Sequence, residues 1–424
     1  LRIAHFVQRY PPALGGSEAY FARLSRFLVE EGHQVTVFTT TALDLEAFWK
    51  TSGRCAPSGV SLQDGVTVHR YSLWRAPEQR HILRVLSQIP IRPWQRLTLS
   101  CNPIAWGMWR DAGRVDTAFD LVHAGAFPYG WPLACGLRLA RRLRVPFLLT
   151  PFLHTGDPED PRDRTRRAYT SPALLSLARA AERIFVQTEG EKNVLVQHGI
   201  PETRLISQGM GVDLATCTGG ARERVRAEWR VRPEEVIIGH LGNLSVEKGS
   251  VDLLRAARRA WRRGCHFHVV LAGPDMPNFR RCWDHFADAG PVHRLGVLTD
   301  QQKCDFFAGI DAFALPSRSD SFGLVLLEAW ANGAATVGYR AGGVADVIRH
   351  EQDGLLVRCG DTQGLAEALT RLTSDAELRK RLGSAGRARL PVAFRWEDKL
   401  RLARRVYEQV SQRKGPPVPT GGPI

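Results

Sequence analysis

Residues Pro316–Gly333 read PSRSDSFGLVLLEAWANG, and the fold turns on how this stretch is parsed. A polar run containing one glycine gives way at Gly323 to the helix-forming run LVLLEAWAN, which stops at Asn332-Gly333 as a helix C-terminus should. The stretch is therefore a loop feeding a helix start. The first turn of such a helix carries unpaired backbone N–H groups and the positive end of the dipole, so Gly323, Leu324 and Val325 are expected to receive a phosphate. Glu328 lies roughly 7 Å further up the helix, and Asp320 sits in the loop just before it. Carboxylates repel phosphate, so their place here needs another purpose. Hydrogen bonding to the hydroxyls of a ribose and a sugar supplies one, and a nucleotide sugar is the expected ligand. The plainer alternative is a buried helix behind an ordinary N-cap.

The same strand, loop and helix unit recurs on either side. LRIAHFVQ (1–8) and QVTVFTT (34–40) are apolar β-type runs, and the segment between them has helical spacing with Gly32 at its end. Their connection, YPPALGGSE, puts Gly15 and Gly16 immediately before the helix, with Ser17 as the expected N-cap, so backbone can approach a ligand closely. It is not GxGxxG, and a tight turn is the simpler alternative. DLVHAGAF (120–127) and VPFLLTPFLHTGDP (145–158) read as further strands ending in His123 and His154, where open sheets place ligands. The second half begins again with EVIIGHLG, NLSVEKGS, a helix and HFHVVLAG, which puts Lys248-Gly249 between strand and helix. Residues 292–318 give strand, helix and strand before the central loop, and Gly342-Gly343 precede another helix. Fold class is therefore α/β, with two Rossmann-like doubly wound parallel-sheet domains over 1–208 and 209–393. The helix at 394–414 is amphipathic, and the Pro- and Gly-rich tail at 415–424 is expected to be disordered.

Composition narrows the function. The chain has 424 residues, 44% hydrophobic and 24% charged, enough for two soluble globular cores. No apolar run is long enough to span a bilayer, and the N-terminus reads as a first strand rather than a signal peptide, so a cytoplasmic location is expected. Eight cysteines show no Cys-x-x-Cys and no His at zinc spacing, which speaks against a disulfide framework or a structural metal. The net charge of +15 and pI near 9.9 call for an anionic partner. Nucleic acid is set aside because no zinc finger, RNP pattern or recognition helix is present. Residues 44–115 are the least legible. Trp74, Trp94, Trp106 and Trp109 interleave there with Arg70, Arg75, Arg80, Arg84, Arg92, Arg96 and Arg110, which suits a weak anionic membrane contact, an acceptor cleft, or plain core aromatics beside a solvated basic face. The acidic run DPEDPRD (157–163) is expected to be a solvated loop, since Pro158 and Pro161 spread its carboxylates apart.

Asp320 and Glu328, eight apart with FG between, resemble the Glu-x7-Glu signature of retaining glycosyltransferases of the GT-B fold, family 4, with Asp320 where the family usually has Glu. Lys248-Gly249 resembles the family's Arg-x4-Lys-Gly, with Asn243 at the Arg position. The glycine loop and its helix are similar to the family's GG-x-E opening, and Gln208 to Asp213 to its linker. The resemblance spans nearly the whole chain. It implies a nucleoside diphosphate sugar held mainly by the second domain, through Gly15, Gly16, Asn243, Lys248, Asp320, Ser321, Phe322, Gly323, Leu324, Val325 and Glu328, with the base near Gly296 and Val297. It implies His123 and His154 on the acceptor side, a last helix crossing back to the first domain, and retention without a protein nucleophile. His123, Lys248, Asp320 and Glu328 are the expected catalytic set. Because no Asp-x-Asp motif stands out, no metal and no other cofactor is expected. The rivals are a catalytically silent nucleotide-sugar binder, an epimerase or phosphorylase of the same fold, and a dehydrogenase, for which GxGxxG is lacking.

Overall fold

Short runs rich in Val, Ile, Leu and Phe become strands that are buried on both faces, as parallel sheets covered by helices require. The computed structural model describes residues 1–286 and 290–412; the expected disorder of 415–424 lies outside them. The first sheet is made of β1 Arg2–Phe6, β2 Gln34–Thr40, β3 Gly59–Gln63, β4 Val66–Tyr71, β5 Leu121–Ala124, β6 Phe147–Leu149, β7 Arg183–Val186 and β8 Leu205–Ser207. Its order is β3-β4-β2-β1-β5-β6-β7-β8, and only β3 runs antiparallel. The second sheet is made of β9 Ile237–Leu241, β10 His268–Ala272, β11 Val292–Arg294, β12 Ala312–Leu315, β13 Ala335–Tyr339 and β14 Gly354–Val357. It is parallel throughout in the order β11-β10-β9-β12-β13-β14. In each sheet the order reverses beside the first strand, β1 or β9. Such switch points are where open sheets bind ligands, beyond the strand C-termini.

The chain passes between the domains twice, and the two crossings lie side by side. Val212 N–H donates to the Phe394 carbonyl at 2.9 Å, and a Cβ added at Gly211 would stand 2.6 Å from Trp396 N. The helix Trp396–Gln412 then packs on the first domain. Its Tyr407 hydroxyl reaches His123 Nδ1 at 2.5 Å and His5 Nε2 at 3.2 Å.

That contact corrects the expectation for His123. The ring is fully buried, and its second nitrogen bonds Thr150 Oγ1 at 2.8 Å, so it faces no ligand. The cause is its place on β5, an interior strand between β1 and β6, over which Tyr407 of the returning helix packs. Two smaller corrections concern loops. Gly15, not Ser17, caps the helix Gly16–Glu30. Within 44–115, Arg70 is buried against the Pro11 carbonyl and Trp109 lies under Arg138, while β3 and β4 form a hairpin that weak periodicity hid. The run 157–163 is a solvated loop, as expected, with residues 158–162 exposed, and its Glu159 pairs at the surface with Arg358 of the second domain at 2.9 Å.

Tyr407→Phe strands a buried nitrogen on each of two histidines, a cost of about 1–3 kcal/mol. The urea unfolding midpoint is expected to fall accordingly, with ligand binding by the second domain unchanged; an unaltered midpoint would show that this hydroxyl does not fasten the helix.

Candidate active site

The loop before the helix Leu324–Ala331 is held by backbone approaching backbone. Gly323 caps the helix at φ 88°, in the left-handed region where a side chain is strained. Gly249, at φ 79°, lies so close that a Cβ there would meet the Pro316 carbonyl oxygen at 1.9 Å. Gly342 and Gly343 press on the other side, where added Cβ atoms would come within 2.5 Å of the Asp320 oxygen and 2.3 Å of the Ser321 oxygen. Leu326 N–H returns to the Gly323 carbonyl at 2.9 Å, and the N–H groups of Gly323, Leu324 and Val325 donate to no group among the described residues. Three donors and a helix dipole are thus left without an internal partner among the described residues.

Charged pairs flank them. Lys248 Nζ lies 2.6 Å from Asp320 Oδ2, and Asp320 Oδ1 accepts the Phe322 N–H at 3.3 Å. Burial alone would raise the proton affinity of Asp320; the Lys248 ammonium and His154 outweigh it and hold the carboxyl below its ordinary range. Burial first, and Lys248 second, push His154 down to about 4, so the imidazole is neutral at pH 7. Its Nδ1 is 2.7 Å from Ser319 Oγ, across the domain boundary, and its ring stacks on Tyr169. Glu328 Oε1 pairs with Lys303 Nζ at 2.9 Å. Burial there works against the ammonium, yet Glu328 raises the Lys303 pKa.

The first domain closes the site from the other side. A Cβ added at Gly16 would stand 3.8 Å from Leu324 Cδ1, so the glycine loop faces the amide end of Leu324–Ala331. Gly15 leaves room for Glu18, whose buried carboxylate holds Arg9 at 2.7 Å and accepts from Gln8 at 3.0 Å. Gly342 N–H donates to the Gly156 carbonyl at 2.8 Å, and Gly190 N–H to Asp346 at 3.0 Å, both across the domains.

The structure therefore gathers Gly16, Lys248, Asp320, Ser321, Gly323, Leu324 and His154 around one place, with Val325 and Glu328 on the adjoining helix. Asn243 is exposed just beyond β9, and Gly296 and Val297 are exposed just beyond β11. The Phe322 side chain is buried against Phe394, so only its backbone can face a ligand. His123 lies elsewhere, sealed in the first domain. Sequence reasoning missed Lys303, Ser319 and the Arg9–Glu18 pair. Lys303 stands three residues into a helix after Asp300, a spacing that gives no sign of its partner Glu328; the pairing is tertiary.

Comparison with known proteins agrees with this fold. A family profile described as Glycosyl transferases group 1 matches residues 221–389, and one described as Glycosyl transferase 4-like domain matches residues 15–209. The chain is 25% identical over 393 residues to D-inositol 3-phosphate glycosyltransferase of Thermobifida fusca, covering 88% of this chain and 83% of that one. It is 29% identical to the enzyme of the same name from Geodermatophilus obscurus, over 90% and 82% of the two chains. Among solved structures, sucrose-phosphate synthase from Thermosynechococcus elongatus superposes with a TM-score of 0.74 at 18% identity, over 97% of this chain and all of that one. HepE from Anabaena, in complex with UDP and glucose, superposes at 0.70, also at 18% identity, over 96% and 99%.

Beneath the site, His240 on β9 fixes the start of the helix Ser250–Trp261. Its Nδ1–H donates to the Ala314 carbonyl at 2.8 Å, and its Nε2 accepts from Ser250 Oγ at 2.9 Å. Burial, the largest influence, lowers its pKa to about 4. An unfolded histidine takes a proton near pH 6.5, so the unfolded state binds more protons below that pH and stability falls as pH drops toward 4. Between pH 7 and 5 this costs about 2 kcal/mol. His240→Asn is expected to remove that part of the pH slope of unfolding free energy, and an unchanged slope would show that His240 is not held neutral.

Proposed function

The chain belongs to the GT-B glycosyltransferases of the GT4 type, and from that premise we propose that it moves a sugar from a nucleoside diphosphate sugar to an acceptor hydroxyl, with retention at the anomeric carbon. The observation that carries this reading is the amide end of Leu324–Ala331, with three free donors, flanked by Lys248 on one side and Glu328 on the other. The donors and the Lys248 ammonium meet charge as it grows on the departing diphosphate, as preorganised stabilisation. Glu328 takes ribose hydroxyls, and Asp320 with the Ser321–Gly323 backbone takes the sugar. Neutral His154, at the domain boundary, orients the acceptor by hydrogen bonding, and the departing phosphate accepts the acceptor proton in a same-face attack. The reaction runs without a metal ion: Asp320 and Glu328 each already have an ammonium partner, which leaves neither free to act as a ligand. A nucleotide-sugar donor has further support in HepE, which holds UDP and glucose.

Relatives named for D-inositol 3-phosphate and for lipopolysaccharide core support an acceptor that is a glycoside or a glycolipid-like molecule. The excursion after β4 adds a place for the latter. It leaves the C-terminal end of the sheet, the end at which the site lies, and its residues 88–94, QIPIRPW, are exposed without interruption. Ile91 is 57% and Trp94 39% exposed, and Arg92 stands between them in the chain. Exposed apolar residues with an arginine among them suit shallow seating on an anionic bilayer. No helix among the described residues is long and apolar enough to cross a membrane.

Glu328→Ala and Lys248→Ala are each expected to cut kcat/KM at least tenfold, about 1.4 kcal/mol of transition-state stabilisation, with wild-type turnover indifferent to EDTA. Near wild-type transfer by both variants would sink the assignment. Vesicles containing phosphatidylglycerol should sediment the protein at low salt but not at high salt, and the variant Ile89→Ser/Ile91→Ser/Trp94→Ser should stay in solution; equal sedimentation of the two proteins would dispose of the bilayer contact.

A further inference from the structure

A second concavity lies away from the transfer site. At the opposite end of the first sheet, where β6 and β7 begin, a cavity of about 750 Å³ opens between the C-terminal ends of the helices Gly130–Leu143 and Pro172–Ala180. Arg141, Arg144, Arg179, Arg183 and Arg204 line it, with Glu182 as the one carboxylate. The guanidinium groups of three of these make hydrogen bonds only to carbonyls: Arg179 to His198 at 3.0 Å, Arg183 to Glu182 at 2.9 Å and Arg204 to Arg179 at 3.1 Å. Among the described residues none of the five lies within ion-pair distance of a carboxylate, whereas the neighbouring Arg142, pointing outward, has Asp116 at 3.7 Å.

Cations in the last turn of a helix answer its dipole, and this accounts for Arg141 and Arg179. It does not account for Arg144, which stands beyond the helix end at φ 55°, nor for Arg183 and Arg204, which belong to neither helix. Five like charges around one concave surface repel each other, and an anion placed among them removes that repulsion and supplies the acceptors their donors lack. Guanidinium forks match phosphate oxygens in pairs, and a cavity of this size exceeds one phosphate. We propose that this basin binds a ligand carrying several phosphate groups, at a site separate from the transfer site. Val410 of the returning helix also lines the cavity, so the bound anion holds the helix bearing Tyr407 against the first domain.

The probe is sodium tripolyphosphate, read on the full chain by calorimetric titration and by thermal midpoint. Wild type and Lys248→Ala should both bind it with a saturable rise in Tm. Arg141→Ser/Arg144→Ser/Arg179→Ser should bind at least tenfold more weakly, and the single change Arg144→Glu, at an exposed position, should weaken binding in the same direction while leaving the unfolding midpoint without ligand in place. Glycosyl transfer by the arginine variants should be unaltered, which separates failure of this site from failure of the proposed reaction. Release of the wild type, but not the arginine variants, from phosphatidylglycerol vesicles by tripolyphosphate would identify bilayer headgroups as the source of the phosphates; no such release would identify a soluble ligand. Equal affinity in wild type and the triple variant, or loss of binding in Lys248→Ala, would overturn the proposal.

Discussion

Close backbone contact around Pro316–Gly323 is the constraint from which the rest follows. Gly249 comes from one loop and the neighbouring Gly342 and Gly343 from another, and each touches this segment where a single added carbon would collide. Any larger residue would push the loop away from its neighbours and turn the amide end of Leu324–Ala331 off its target. Preorganisation of this kind matters because donors must already point at the developing charge when the reaction starts. The second sheet supplies the frame. Its switch point beside β9 brings Lys248 and the helix start at Leu324 to the same edge.

Burying charge at that edge requires pairing. Asp320 and Glu328 are each matched to an ammonium, Lys248 and Lys303, which come from different elements. In the first domain the same rule governs Glu18 and Arg9. Each pair offsets a desolvation cost that an isolated charge at these depths would not recover. Burial first, and the Lys248 ammonium second, keep the neighbouring His154 neutral. The site is thus a set of mutually compensated ions around one uncompensated feature, the free amide end of a helix.

How far this could be read from sequence depended on whether each feature is local. The loop and helix at 316–333 were legible because a glycine, a helix-forming run and a terminal Asn-Gly are signals within one segment. The β-α-β openings were legible for the same reason, and Lys248-Gly249 through its position between strand and helix. Lys303 was not, since its partner lies in another helix. His123 shows the converse error. Its place at a strand end suggested a ligand contact, but Tyr407, almost the length of the chain away, reaches over and takes its nitrogen. Nothing near residue 123 encodes that event. The hairpin of β3 and β4 escaped notice because β3 is exposed at the sheet edge and so lacks the apolar run of a buried strand.

The shorter side chain at position 320 then acquires a consequence on the proposed reading. At 2.6 Å from Lys248, the Asp320 carboxylate occupies the cation that an arriving diphosphate needs. The diphosphate brings more charge and meets the free amides as well, so the ammonium is drawn toward it. Asp320, buried and held ionised chiefly by that ammonium, is then short of a partner. A charge so placed must find another donor or pay heavily for its burial. Sugar hydroxyls are the donors at hand, and an Asp, one methylene shorter than Glu, engages only those that come to the loop. Phosphate grip and sugar recognition are in this way coupled through one carboxylate. A sugar lacking the right hydroxyl leaves Asp320 unpaired, and discrimination against it is strong for the reason that buried polar groups generally discriminate well: the penalty falls on the protein's own stranded group.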